Sequence, residues 1–324
     1  MQATTSQAPL AVETEGLTRT FDGAGGIRGL DLSVPRGSIF GFIGPSGSGK
    51  TTTIRLLTGI LAPEAGTVKV LGREPVAFDR VARARLGYLP QQTSLYPDLS
   101  LSHNLGFAAS LFGMPWLGRR QRLREALEFV ELADLRRQRL RDVSGGEKRR
   151  LALAATLIHS PDLLFLDEPT AGIDPVLRRK FWDRFTQLRD EGRTLFVTTQ
   201  YVGEAAYCDL VGVLARGRLL LVASPDDLRR HAYGGEVLEV VFASAPSAET
   251  IAHLTGATNA SRVERIDASR FHLIVEDAGD ATGALTGWAA EAEVDFETIE
   301  PVLPPFDDVF VELVSRLDVD EEAA

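Results

Sequence analysis

Short apolar runs alternate with amphipathic stretches through the first two thirds of the chain. Residues 38–43 and 163–166 are continuous apolar runs of strand length, which is typical of strands covered on both faces of a parallel sheet. Residues 51–61 instead repeat apolar side chains at helical spacing. The same criteria predict a pair of strands within 12–34, strands at 66–71, 86–90 and 194–199, and helices at 101–111, 119–132, 148–159 and 176–190. This alternation favours an α/β core.

The pattern changes near Tyr233. The remaining segment predicts strand, helix, strand, strand, helix and strand, an order that resembles a small ferredoxin-like sandwich. These elements are expected at 237–242, 247–254, 262–266, 271–275, 281–290 and 294–299, with a last helix at 307–316. We therefore expect an α/β domain at 11–232, a small α+β accessory domain at 233–317, a disordered lead-in at 1–10 and an acidic tail at 318–324.

The chain is acidic, with a formal net charge of -10 over 324 residues, which disfavours non-specific binding to nucleic acid. A hydrophobic fraction of 44% is sufficient for a globular core. Because Cys208 is the single cysteine, an internal disulfide is excluded and a reducing compartment is expected. No apolar run reaches the length that spans a bilayer, and the polar first residues lack the layout of a signal peptide.

A glycine-rich loop follows the apolar run at 38–43. Glycines let the backbone curl so that successive N–H groups point at phosphate oxygens, and the following helix presents its positive end to the same anion. Lys50 is expected to reach the β- and γ-phosphates, and the Thr51 hydroxyl to ligate Mg²⁺. The predicted nucleotide-binding residues of this segment are Gly44, Pro45, Ser46, Gly47, Ser48, Gly49, Lys50, Thr51 and Thr52. A plain glycine turn before a helix is the weaker alternative.

Two carboxylates, Asp167 and Glu168, follow the apolar run at 163–166. A buried strand would deliver them to the carboxyl edge of the sheet, where open α/β sheets bind ligands. Asp167 is suited to hold Mg²⁺, and Glu168 is suited to polarise the attacking water. A simple strand end could also carry this pair, but its combination with the glycine loop predicts a catalytic site.

A third motif, Val143-Ser144-Gly145-Gly146-Glu147, precedes a predicted helix. Together with the glycine loop and the carboxylate pair, it resembles the signature of ATP-binding cassette ATPases, which is usually Leu-Ser-Gly-Gly-Gln. The Ser144 hydroxyl and the backbone N–H groups of Gly145 and Gly146 would form a second anion cradle. In the family, that cradle caps the γ-phosphate held by another protomer. Glu147, assigned to the same nucleotide site, also suits a plain helix cap, because a helix dipole favours negative charge in the first turn.

Further positions match this family in order along residues 12–228. The resemblance implies that Phe21 stacks on adenine, although a core aromatic is an equal alternative. It implies that Gln91 senses Mg²⁺ and the γ-phosphate and serves as a metal ligand, with the adjacent Gln92 as an alternative register. It also assigns Asp174 to the loop that links the two nucleotide sites of a dimer.

One position departs from the family pattern. Where the family usually has a histidine, the run Thr-Thr-Gln-Tyr at 198–201 supplies Gln200. A glutamine amide offers a donor and an acceptor, as neutral histidine does, but it cannot carry a proton's charge. We therefore expect Gln200 to serve in catalysis as the γ-phosphate sensor, with slower hydrolysis. A polar strand end without a role is the alternative.

The resemblance implies a P-loop nucleoside-triphosphatase cassette with a mixed sheet and a helical subdomain at about 93–160. The closing segment at 304–313 is similar to that of drug- and multidrug-exporting branches of the family. We therefore expect an ATPase that uses ATP and Mg²⁺ to power a separate integral membrane permease. The exported cargo would be a drug, a lipid or another small amphiphile.

The same resemblance implies a homodimer, or a heterodimer with a related ATPase, on ATP binding. It also implies a cytoplasmic location at the inner membrane face, through the permease, and no nucleic acid partner. Two alternatives remain. A non-transport cassette ATPase acting on nucleic acid or the ribosome usually has a coiled coil, zinc cysteines or two cassettes, which this sequence lacks. A regulatory ATP-binding module with weak turnover is disfavoured by Glu168, although Gln200 leaves room for it.

Overall fold

The computed structural model describes residues 9–21, 25–92, 94–292 and 294–322. The chain divides into two compact units between Val222 and Ala223. This division differs from the predicted boundary at 232/233, because a helix at Pro225–Tyr233 packs within the second unit. Of the predicted lead-in, residues 1–8 lie outside the described residues, and Leu10 already belongs to a strand.

The first unit contains the alternating elements that the hydrophobic pattern predicts. Its strands are β1 (Leu10–Thr20), β2 (Gly26–Pro35), β3 (Ile39–Ile43), β4 (Ala65–Val70), β5 (Leu86–Leu89), β6 (Leu163–Asp167), β7 (Thr194–Thr199), β8 (Leu210–Ala215) and β9 (Arg218–Ala223), the last ending at the unit boundary. Its α-helices are α1 (Lys50–Leu57), α2 (Arg80–Arg83), α3 (Leu101–Leu111), α4 (Arg119–Phe129), α5 (Gly145–Leu157) and α6 (Pro175–Asp190). A 3-10 helix, Val202–Tyr207, follows β7.

The predictions omitted β8 and β9 and started α5 too late. Two apolar runs separated by Arg216 and Gly217 carry the signal of a tight hairpin. Helix α5 begins at Gly145 rather than at 148, because the Ser144 side chain caps it and the glycines adopt helical backbone within its first turn.

One sheet of the first unit has the strand order β5-β6-β7-β3-β8-β9. The pairs β5–β6, β6–β7, β7–β3 and β3–β8 are all parallel, and every residue of β3, β6 and β7 is buried. Parallel strands end at the same edge of a sheet, so the segments that follow β3, β5, β6 and β7 come together there. A second sheet, β2-β1-β4, is antiparallel.

Aromatic side chains fill the centre of the first unit. The Phe196 ring lies 5.0 Å from Phe40, 5.5 Å from Phe42 and 5.7 Å from Phe165, centroid to centroid. All four rings are fully buried and belong to neighbouring parallel strands. Each such side chain removes a large apolar area from water, so this cluster fixes the sheet whose edge carries the site.

The second unit is a ferredoxin-like sandwich, as predicted. Its elements are α7 (Pro225–Tyr233), β10 (Glu236–Phe242), α8 (Ala248–Thr258), β11 (Arg262–Arg265), β12 (Arg270–Val275), α9 (Ala278–Ala292), β13 (Phe296–Val302) and α10 (Phe306–Glu322). The sheet order is β11-β12-β10-β13, and all neighbours are antiparallel. The backbone of α10 continues through the residues predicted as an acidic tail, up to Glu322.

Within the described part of the chain, no helix combines the length and the apolar character needed to cross a membrane.

The sandwich core makes a specific prediction about stability. Phe271 is 1% exposed and meets Phe242 edge to face at 5.6 Å. Replacing Phe271 with alanine leaves a cavity, so we expect the free energy of unfolding of the second unit to fall by about 3–5 kcal/mol in a denaturant titration. Ile266→Ala, at a position 50% exposed, is the control and should change it by less than about 0.5 kcal/mol. Equal effects of the two substitutions would contradict this core assignment.

Candidate functional site

The glycine-rich loop connects β3 to α1 at the carboxyl edge of the parallel sheet. Gly49 ends the loop with a φ of +110°. A β-carbon there would lie only 2.7 Å from the carbonyl oxygen of Gly26 and from the side chain of Ile27. Glycine is therefore required for both conformation and space. The α1 N-terminus follows this turn directly, and a helix N-terminus is a place where an anion can bind.

Lys50 is held beneath the loop. Its Nζ donates to the carbonyl oxygens of Gly44 at 2.6 Å and Pro45 at 3.0 Å, and the residue is only 6% exposed. Burial lowers the pKa of Lys50, while the nearby carboxylates of Glu168 and Asp167 oppose that shift. The ammonium group is thus a buried donor poised at the place where the loop would receive phosphate.

Asp167 joins three segments at the sheet edge. Its carboxylate is fully buried and accepts hydrogen bonds from Thr51 Oγ1 at 2.9 Å and Thr198 Oγ1 at 2.6 Å. A hydroxyl and a carboxylate oxygen at this separation are hard oxygen donors of the kind that Mg²⁺ prefers. Two of the three residues that the sequence predicts as metal ligands, Thr51 and Asp167, are therefore in direct contact, while the third, Gln91, contacts Glu168.

Glu168 follows in a strained backbone conformation. Its φ is +52°, in the left-handed region that few residues other than glycine adopt. Its N–H donates to the carbonyl oxygen and the hydroxyl of Thr198, at 3.0 and 3.1 Å, which holds the turn. The Gln91 amide donates to the carboxylate at 3.5 Å. Such strain is concentrated at functional sites, because it fixes the direction of a side chain.

Arg149 is a site residue that sequence reasoning missed. It lies on α5 and is 8% exposed. Its guanidinium donates to the backbone carbonyls of Pro90 and Gln91, and also to those of Asp167 and Glu168. One planar, always charged group therefore fastens the segment after β5 to the end of β6. Its place in the run Lys-Arg-Arg suggests a solvated face, and the sequence carries no signal that one of the three is buried.

The signature motif forms a capping box at the start of α5. The Glu147 carboxylate accepts from the N–H of Ser144 at 2.7 Å and from its hydroxyl at 2.8 Å. These two bonds lower the pKa of the Glu147 carboxyl, so it stays ionised near neutral pH. Among the described residues, no hydrogen bond links Ser144 or Glu147 to the glycine loop. Gly146 lies beside Gly172, since a β-carbon on it would be 3.6 Å from the Gly172 carbonyl oxygen.

The remaining predicted residues surround this centre. The Gln200 Oε1 accepts from Ser46 Oγ at 3.4 Å, which brings the segment after β7 to the glycine loop. The amide that contacts Glu168 belongs to Gln91, which favours Gln91 over the adjacent Gln92 as the residue at this family position. Asp174 caps α6 by accepting from the Leu177 N–H at 3.0 Å. Phe21 is 43% exposed, so it is not a core aromatic; its stacking on adenine stays a prediction.

Known proteins resemble the chain along most of its length. Residues 27–171 match the family described as ABC transporter. The chain is 36% identical over 313 residues to the daunorubicin resistance ATP-binding protein DrrA3 of Streptomyces coeruleorubidus, covering 94% of this chain and 96% of that protein. It is 37% identical over 225 residues to the probable multidrug ABC transporter ATP-binding protein YbhF of Escherichia coli (strain K12). That match covers 69% of this chain but spans only 39% of YbhF.

A solved structure, of an ATP binding subunit of an ABC transporter, has the same fold. It aligns with a TM-score of 0.63 at 25% identity and covers 68% of this chain and 92% of the other. The family that the three sequence motifs resemble is thereby confirmed. The chain belongs to the ATP-binding proteins of the ABC transporter family.

Proposed function

We propose that this chain is the ATP-hydrolysing subunit of an exporter and drives a separate membrane permease. The convergence of Lys50, Asp167 and Glu168 on one sheet edge carries the proposal. Lys50 supplies a cation for the phosphates, and Asp167 supplies an oxygen ligand for a metal ion. Glu168 supplies a carboxylate that can bind the attacking water. Phosphoryl transfer requires little more than such positioning and charge stabilisation.

The donor set suits Mg²⁺ bound together with ATP. Thr51 Oγ1 and Asp167 Oδ2 supply hard oxygens, and the Gln91 side chain lies next to Glu168. Among the described residues, no group of three or more His, Cys, Asp or Glu side chains forms a metal cluster. This agrees with Mg²⁺, which uses one or two protein carboxylates and takes further ligands from phosphate and water. The ion would neutralise charge on the β- and γ-phosphates.

The chain's own residues then divide the work of hydrolysis. The Lys50 ammonium exchanges its loop carbonyl partners for phosphate oxygens and draws charge from the leaving group. The Glu168 carboxylate accepts a hydrogen bond from the attacking water and directs it toward the γ-phosphate. The Gln200 amide, already against the loop through Ser46, donates to the same phosphate. Ser144 and the glycines after it would come from a second protomer and close the site.

An apolar groove next to the site suits the permease. Tyr96, Phe107 and Leu111 line a cavity of about 320 Å³, together with Pro90, which precedes Gln91. Tyr96 is 48% and Leu111 63% exposed, and such contiguous exposure typically marks an interaction surface. A permease segment in this groove would contact the chain one residue from the Gln91 amide. Peripheral attachment at the inner membrane face follows from this docking.

Export as the direction of transport, and a drug or another small amphiphile as its cargo, rest on relatives. DrrA3 is named for daunorubicin resistance and YbhF for multidrug transport. The DrrA3 match includes the accessory unit, since it covers 94% of this chain. We extend both inferences to this protein on that likeness.

Turnover by a Glu168→Gln variant tests the proposal directly. Glutamine keeps the shape but cannot accept a proton, so we expect kcat for ATP to fall roughly 10²- to 10⁴-fold while ATP still binds. Steady-state phosphate release measures kcat, and equilibrium titration measures binding. Glu191→Gln, at the exposed C-cap residue that follows α6, is the control and should retain wild-type kcat. A wild-type protein that is inert even with its permease would rule out the ATPase.

Gln200→Ala tests the γ-phosphate sensor. The alanine substitution removes one hydrogen-bond donor to the γ-phosphate, where negative charge is stabilised in the transition state. We therefore expect kcat to fall about 10²-fold with little change in KM for ATP. Gln200→His keeps a donor at this position and should match or exceed the wild-type rate. Turnover unchanged by the alanine substitution would show that Gln200 is a polar strand end without a catalytic role.

Glu147→Gln tests the second half of the site. The ionised carboxylate holds the Ser144 hydroxyl and would repel a γ-phosphate brought to the same helix start. In a Glu168→Gln background with ATP, we expect the dimer to tighten roughly tenfold, which corresponds to about 1.4 kcal/mol. Sedimentation equilibrium measures the dimer dissociation constant.

A matched control for that experiment exists in α7. Asp227 forms a similar cap there, accepting from the Ser224 hydroxyl at 2.6 Å while its N–H donates back at 3.2 Å. Asp227→Asn removes the same charge from the same kind of motif and should leave the dimer constant unchanged. A dimer that is unaffected or weakened by Glu147→Gln would contradict phosphate binding at this signature.

A further inference from the structure

A polar cluster, formed by the buried Thr170 and Glu204 and the half-buried Arg178 and Tyr201, lies among the segments that carry the site. The Thr170 hydroxyl donates to Glu204 Oε1 at 2.7 Å. The Arg178 Nε lies 3.7 Å from the same oxygen, and its guanidinium carbon lies 4.0 Å above the centre of the Tyr201 ring. Glu204 is only 3% exposed, so its carboxyl group lies inside the fold against these partners. We name this group the Arg178 cluster.

The residues of the Arg178 cluster adjoin three different chain segments that carry predicted site residues. Thr170 comes two residues after Glu168, and Tyr201 follows Gln200 directly. Arg178 also donates to the carbonyl oxygen of Ile173 at 3.2 Å, and Ile173 precedes Asp174. One guanidinium therefore connects the segments of the water-activating carboxylate, the phosphate-sensing amide and the loop assigned to the dimer link.

Gln200 depends on such support, because little else fixes it. Its side chain is exposed, and its contact with Ser46 Oγ is long, at 3.4 Å. The next residue, by contrast, is clamped: the Tyr201 N–H donates to Thr199 Oγ1 at 3.0 Å and its ring faces Arg178. A planar guanidinium stacked on an aromatic ring is a defined geometry that a lysine or an aliphatic side chain does not reproduce.

We propose that Arg178 is a positioning residue for ATP hydrolysis, acting through Tyr201 and Glu204 to hold Gln200 and Glu168 in register with the Asp174 loop. This inference rests on the proposed function, since the relative positions of Gln200 and Glu168 affect a reaction rate only if the chain hydrolyses ATP. Arg178, Tyr201 and Glu204 are not among the residues that we assign to the nucleotide. Their effect is on the rate of the chemical step, because displacements of about 1 Å at catalytic groups can cost roughly 10²-fold in rate.

Substitutions at Tyr201 test the ring contact. Tyr201→Leu removes the ring, so kcat should fall at least about tenfold while KM for ATP and equilibrium ATP affinity stay within about twofold. Tyr201→Phe keeps the ring under Arg178 and should retain kcat. Steady-state phosphate release, ATP titration and a thermal melt are measured on the full chain. A general structural defect would lower the melting temperature and ATP affinity as well, and it would not be rescued by phenylalanine.

Substitutions at Arg178 test the centre of the cluster. Arg178→Met alone leaves Glu204 buried without its cation and can fail to fold, so it is combined with Glu204→Gln, which keeps an acceptor for Thr170. The double variant should lose kcat as Tyr201→Leu does. The matched control is Arg184→Met on the same helix: Arg184 lies 5.5 Å above the Phe129 ring and contacts no site segment among the described residues.

The outcomes separate this inference from the function on which it rests. Wild-type kcat in Tyr201→Leu or in the double variant would overturn the positioning role, as would a loss equally large in the Arg184→Met control. Loss of kcat in Tyr201→Phe as well would overturn the ring contact. A wild-type chain without ATP turnover would instead overturn the proposed function, and the positioning role with it.

Discussion

The buried carboxylate of Asp167 is the interaction on which the site depends. It takes hydrogen bonds from Thr51 at the start of α1 and from Thr198 in β7, so the glycine loop and two strand ends are fixed to one another. Both donors are neutral hydroxyls, so these two hydrogen bonds bring no cation to the carboxylate. The carboxylate thus keeps its attraction for a divalent cation and for Lys50, which it helps to keep charged.

Two arginines extend this arrangement outward. Arg149 binds the backbone around Asp167 to the segment of Gln91, while Arg178 binds the segments of Glu168, Gln200 and Asp174. Arg149 does so through hydrogen bonds to four backbone carbonyls. Arg178 does so through one hydrogen bond to the Ile173 carbonyl, an ion pair with Glu204 and a contact with the Tyr201 ring. In the proposed mechanism, the two arginines would set the positions of the residues that meet the nucleotide. A permease bound beside Pro90 would lie next to Arg149, because the Arg149 guanidinium donates to the Pro90 carbonyl oxygen.

The sequence predicts what is local and misses what depends on tertiary contact. The apolar runs predict β3, β6 and β7, and their shared edge follows because parallel strands end together. Burial of Arg149 and Glu204 was not predictable, because charged residues usually lie in solvent and nothing in either local sequence marks an exception. The division at 222/223 differs from the predicted boundary at 232/233, because the amphipathic pattern of α7 does not say which unit its apolar face joins. Glu147 suits both a cap and a ligand, and only geometry shows that it holds Ser144.

On the proposed function, the glycine loop is half of a site that the signature of another copy completes. Mixing two inactive variants tests it most directly. Lys50→Ala removes the loop cation and Ser144→Ala the signature hydroxyl, and each variant alone should lack turnover. In mixed dimers, one of the two sites combines an intact loop with an intact signature, so phosphate release should reappear on mixing and depend on protein concentration. Absence of any recovery, with both variants folded and able to associate, would contradict the shared site.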